Sequence, residues 1–95
     1  MRDYELVTII NPEVDDDEVS NTAEKVAKCI ISKGGVVGES DKWGKRKLAY
    51  PLKKFMEGNY MLTWFQIEPI LVKEVERELM SWEEILRFLI VKVGD

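Results

Sequence analysis

Hydrophobic and polar positions change period several times along the chain, and each change marks an element. From Arg2 to Ile10 they alternate, with Tyr4, Leu6, Thr8 and Ile10 on one side and Asp3, Glu5, Val7 and Ile9 on the other. A period of two with β-branched residues predicts a strand with two unlike faces. Asn11-Pro12 ends it, because proline offers no N–H to a ladder and favours a turn. Val19, Ala23, Val26, Ala27, Ile30 and Ile31 then recur at spacings of three and four, which lines one face of a helix. Asp15, Asp16 and Asp17 bring cap oxygens and negative charge to its N-terminus, and Gly34-Gly35 stops it.

Val36 and Val37, followed later by Leu48 to Leu52, predict a long second strand interrupted near Gly44, with Lys53 to Asn59 as a hairpin tip containing Gly58. Tyr60 to Ile67 reads as a third strand, with Met61, Thr63, Phe65 and Ile67 on one side and Tyr60, Leu62, Trp64 and Gln66 on the other. A second helix follows Pro69 with Val72, Val75, Glu76 and Leu79 in register, and Ile85 to Val93 forms a last strand. The order strand, helix, strand, strand, helix, strand predicts an α+β ferredoxin-like sandwich, in which two helices cover one face of a four-stranded antiparallel sheet. With Leu6, Phe65, Ile67, Phe88 and Ile90 toward the helices, Val7, Ile9, Leu62, Trp64, Leu89 and Val91 fall on the uncovered face. So much exposed apolar surface leads to the expectation of a docked protein partner, the alternative being a face shielded by the chain's own loops.

Composition narrows the function. Residues 1–95 suit one domain without repeats or low-complexity runs. No apolar run approaches the roughly 20 residues of a membrane-spanning helix, and the charged N-terminus is unlike a secretory leader, so a cytosolic location is expected. Cys29 is the only cysteine, read as a small core or flank residue, and there is no histidine. The commonest general base and zinc ligand are thus missing, which weighs against a hydrolytic or metal-dependent enzyme; neither catalysis nor a cofactor or metal is expected. The run Asp15 to Glu18 lacks the spacing and glycine turn of a calcium loop and is read as helix-dipole compensation.

Charge is segregated. The net charge is −4, yet residues 41–60 hold six basic and two acidic side chains, whereas residues 1–40 hold four and nine and residues 61–95 four and seven. An acidic chain with one concentrated basic stretch, DKWGKRKLAYPLKK, has a local and directional attraction for polyanions. Lys45, Arg46 and Lys47 are the main candidates for phosphate contacts. Alternation sends Arg46 to the side opposite its neighbours, so all three meet one surface only if the chain bulges or twists near Gly44. Trp43 is read as packing across the hairpin, with base stacking as the alternative.

MRDYELVTIINPE, DKWGKRKLAYPLKK, GNY and ILRFLIVKV, taken together, closely resemble the bacterial small-subunit ribosomal protein six family over essentially the whole chain. The resemblance implies the same ferredoxin-like fold, no catalytic activity, and binding to the central domain of small-subunit ribosomal RNA as a heterodimer with small-subunit ribosomal protein eighteen. It also implies an RNA role for some of Arg2, Tyr4, Arg87 and Lys92, which extend the basic surface if the first and last strands are neighbours; Tyr4 has core parity as well. The chain departs from the family at Trp82 in MSWEEILR, and in stopping at Gly94-Asp95 where many members continue into a charged tail. Two other functions compete: a single-strand RNA reader of the RRM type, whose aromatic and basic signature YMLTWFQI lacks, and a ferredoxin-like dimer closing over a small ligand.

Overall fold

The computed structural model describes residues 1–94. Its elements are β1 (Arg2–Ile10), α1 (Asp16–Ser32), β2 (Val36–Leu52), β3 (Phe55–Ile67), a 3₁₀ turn (Pro69–Leu71), α2 (Val72–Met80) and β4 (Ile85–Lys92). The four strands form one antiparallel sheet in the order β2-β3-β1-β4, the ferredoxin-like α+β arrangement expected from the hydrophobic pattern.

Alternation in β1 holds residue by residue: Tyr4, Leu6, Thr8 and Ile10 are buried, whereas Glu5, Val7 and Ile9 are only partly so. Tyr4 and Leu6 join Val26, Cys29 and Ile30 of α1, Phe65 and Ile67 of β3, and Val75 and Leu79 of α2, while Ile10 clusters with Val19 and Met61. Each large apolar side chain taken from water in this layer contributes about 1.5–3 kcal/mol, which is what holds short helices on the sheet. At the start of α1 the Asp15 carboxylate accepts from the Glu18 N–H at 2.9 Å, with Asp16, Asp17 and Glu18 in the first turn, so the acidic run caps the helix. Gly34 takes φ +85° just beyond the helix, and the Gly35 N–H returns to the Ile30 carbonyl. α1 differs from the pattern in that Ile31 is 58% exposed, while Thr22 and Cys29 are buried.

The β2–β3 hairpin differs most from expectation. Its turn is Lys53-Lys54, with φ of +48° and +72°, and β3 begins at Phe55. Two positive φ angles in a two-residue connection suit the right-handed twist of the strands. Lys53 to Asn59 is therefore not a loop, and Gly58 lies inside β3, where a Cβ would come within 2.3 Å of Ile9 Cγ2.

Candidate nucleic-acid interface

Three irregularities in β2 decide where its cations point. Lys42 pairs with Met61 and Gly44 with Tyr60, which leaves Trp43 as an extra residue, and Gly44 has φ +79°. This is a bulge that only glycine accommodates without cost. The interruption expected near Gly44 is present, but it precedes the cationic run instead of lying within it. Lys45, Arg46 and Lys47 then pair in unbroken register with Asn59, Gly58 and Glu57. Arg46 therefore keeps the open side of the sheet, while Lys45 and Lys47 point to the other. The three do not share one face. All are exposed on an edge strand, so they flank that edge from both sides.

The open-face member is held by aromatic rings. Trp43 stacks on Tyr60 with ring centroids 6.4 Å apart and an interplanar angle of 13°, and the Arg46 guanidinium lies 5.2 Å from the Trp43 ring. Packing across the hairpin, not an unoccupied stacking platform, is thus the observed role of Trp43, although 38% of it remains exposed. The stack restrains Arg46 while leaving its charge at the surface.

Leu48 to Pro51 leave the ladder altogether. Between Lys47 opposite Glu57 and Leu52 opposite Phe55, four residues of β2 face one of β3. Pro51 has no N–H to donate, which favours this release. The freed segment carries Tyr50 to β4, where the Arg87 guanidinium donates to the Tyr50 hydroxyl and lies 6.0 Å from its ring. A cleft of about 270 Å³ remains beneath, lined by Val7, Ile9, Leu48, Tyr50, Leu52 and Leu89 among others. The shielding alternative thus holds for one half of the open face, around Ile9. Beyond the cleft the face is uncovered: Leu89 at the cleft's rim is 58% and Val91 44% exposed. Leu62, expected in the exposed patch, is only 6% exposed, flanked in the ladder by Asp41 and Val7.

The remaining sequence candidates separate into two groups along the sheet. Arg87 pairs with Ile9 beside the hairpin, whereas Lys92 pairs with Tyr4 and Arg2 with Ile67 at the opposite end. Tyr4 and Ile9 are five positions apart on β1, about 17 Å at the rise of a strand. β1 and β4 are neighbours as expected, but Arg2 and Lys92 form a second basic locus and do not continue the hairpin's surface. Tyr4 takes the core place that its parity allows: it is 7% exposed and its ring stacks on Phe65 at 5.5 Å, so that face of the ring is occupied. Tyr50 was missed in the sequence, because only the release of Leu48 to Pro51 brings it to Arg87. The signal that was available is Pro51 within an otherwise strand-like run.

On the helical side, Lys33 and Glu78 join α1 to α2 at 2.8 Å. The hydrogen bond raises Lys33 above its ordinary pKa and lowers Glu78 below its own. Burial, helped by a hydrogen bond with Glu78, pushes the Cys29 thiol up to about 11. Trp82 packs against the core with Lys25 Nζ 4.4 Å above its ring, and Lys25 reaches Glu84 at 2.7 Å. This gives the unexpected tryptophan a packing role between α1 and the segment leading into β4.

The family model described as Ribosomal protein S6 matches residues 3–92. The small ribosomal subunit protein bS6 of Desulforamulus reducens is 40% identical over 95 residues, covering all of both chains. That of Clostridium novyi is 42% identical over 91 residues, covering 96% of each. In structure the chain is similar to the crystal structure of 30S ribosomal protein S6 from Thermotoga maritima, with a TM-score of 0.89 and 34% identity over 96% of this chain and 86% of that one.

Proposed function

This chain belongs to the ribosomal protein S6 family of the small ribosomal subunit, and from that premise we propose that it binds the central domain of small-subunit ribosomal RNA together with small-subunit ribosomal protein eighteen. It acts as one ferredoxin-like unit without catalysing a reaction, and its place is on the ribosome in the cytoplasm. The carrying observation is the cationic β2 edge: Lys45 and Lys47 on one side, Arg46 held by Trp43 on the other, and Lys53-Lys54 at the tip. An edge with cations on both sides fits a folded RNA strand that straddles it, phosphate by phosphate. Arg87, fixed by Tyr50, adds a contact on the open side, and Arg2 and Lys92 serve a separate strand at the far end of the sheet, with Tyr4 anchoring β1 beneath them.

The rest of the surface is acidic, so few phosphates are neutralised and the isolated chain binds RNA weakly. A basic partner beside it adds phosphate contacts to a composite surface, which raises affinity through effective concentration. The test is binding of a central-domain RNA fragment to the chain alone and with protein eighteen. Tighter binding in the presence of the partner supports the reading; equal binding with and without it opposes the heterodimer. The RRM-type reading is not favoured, since Trp43 and Tyr60 are stacked on each other.

A further inference from the structure

The uncovered half of the open face is acidic as well as apolar. Glu5 stands at its centre on β1, with Trp64 of β3 on one side in the ladder and Val91 of β4 on the other. Side chains in such rows lie about 4.5–5.5 Å apart, so the Glu5 carboxylate is bordered by an indole and a valine. Glu5 is half-buried, and among the described residues its carboxylate has no hydrogen-bond or ion-pair partner. Glu39 shares a shallow hollow with Trp64, and Asp41 pairs with Leu62 on the adjoining edge. Asp3, held by Gln66 at 2.6 Å, completes the acidic surround. The cations adjoining these residues in sequence point to the helix side: Lys42 reaches Ser20 on α1, Lys92 pairs with Tyr4, and Arg2 pairs with Ile67.

We infer that this half of the sheet receives an arginine or lysine from a basic protein partner, with Glu5 as the ion-pair anchor and Trp64, Leu89 and Val91 as the apolar ring that excludes water from it. The inference rests on the heterodimer reading above and assigns it a location and a residue. RNA is unsuited to this half, because four carboxylates repel phosphate. A second copy of the chain is unsuited too, since closing two such faces on each other sets like charges together over apolar surface. A partner of opposite sign satisfies both the exposed apolar side chains and the lone carboxylate, and removing one member of a desolvated pair penalises the other.

The test measures binding of protein eighteen to the full chain and to Glu5→Gln, Glu5→Lys and Trp64→Ala, alongside RNA binding by each chain alone. Glu5→Gln is expected to weaken the partner by about tenfold or more, and Glu5→Lys further, with RNA binding by the chain alone no weaker than wild type. Unfolding by denaturant should show Glu5→Gln to be as stable as wild type, since the carboxylate has no internal partner. Full-strength partner binding by Glu5→Gln overturns the inference and leaves the heterodimer standing, most clearly if Trp64→Ala binds poorly. Failure of the wild-type chain to bind protein eighteen overturns the heterodimer reading and the anchor with it. A homodimer of wild type abolished by Glu5→Lys also overturns the inference, because a second copy then occupies the face.

Discussion

Cys29, Lys33 and Glu78 show how little of a side chain's chemistry follows from its type. A lone cysteine was legible as a core residue from its place on α1, but its hydrogen-bonded environment was not, because Glu78 is 49 positions away and arrives only when α2 packs on α1. With its pKa at about 11 and its side chain buried, the thiol is mostly protonated at pH 8 and shielded. A thiol-specific reagent is therefore expected to label Cys29 slowly in the native protein and rapidly in denaturant, as mass spectrometry of timed samples can follow. The Lys33–Glu78 pair has a defined pH window. Glu78 is lowered from 4.5, so its contribution is present above that value and is lost as pH falls through the lower folded one. Lys33 is raised from 10.5, so its contribution is present below that value and is lost as pH rises through the higher folded one. Because the Glu78 side chain is about two-fifths exposed and screened by solvent, Glu78→Gln should cost no more than about 1 kcal/mol at pH 7. The difference from wild type should close below Glu78's lowered pKa, as denaturant melts across pH will show.

At the scale of elements, β1, α1, α2, β4 and the core of β3 were legible because their periodicity matches their burial. The β2–β3 hairpin was not, because an edge strand buries little and leaves no strong pattern to read. The interruption at Trp43 was legible from Gly44, but the release after Lys47 was not, because alternation cannot anticipate how many residues are inserted. The turn was missed for a related reason: lysines at two positive φ angles give no glycine or asparagine signal. Replacing them, Lys53→Asn with Lys54→Gly, should relieve left-handed strain and stabilise the protein by about 1 kcal/mol in thermal or denaturant unfolding. Gly58, read in sequence as part of the tip, is instead where the hairpin meets β1. Gly58→Ala places a methyl against Ile9 and should destabilise by about 1–3 kcal/mol in the same melts.

For the molecule as a whole, the sheet separates two kinds of surface. The hairpin edge gathers cations and aromatic rings, while the opposite half of the open face gathers carboxylates around Trp64 and Val91. Charge counts along the sequence revealed that a basic locus exists, and the resemblance named its kind of target. Neither showed that the cations would flank an edge, or that Arg2 and Lys92 would lie at the other end, since both depend on register. The cations at this edge are proposed to grip ribosomal RNA through its phosphates. The most direct test of that grip is the salt dependence of binding to a central-domain RNA fragment, with protein eighteen present, for wild type and for Lys45, Arg46 and Lys47 changed together to Ala. Weaker binding and a shallower salt slope are expected for the variant, with unfolding unchanged, because fewer counterions are released. A variant that keeps both the affinity and the slope of wild type would contradict such a grip.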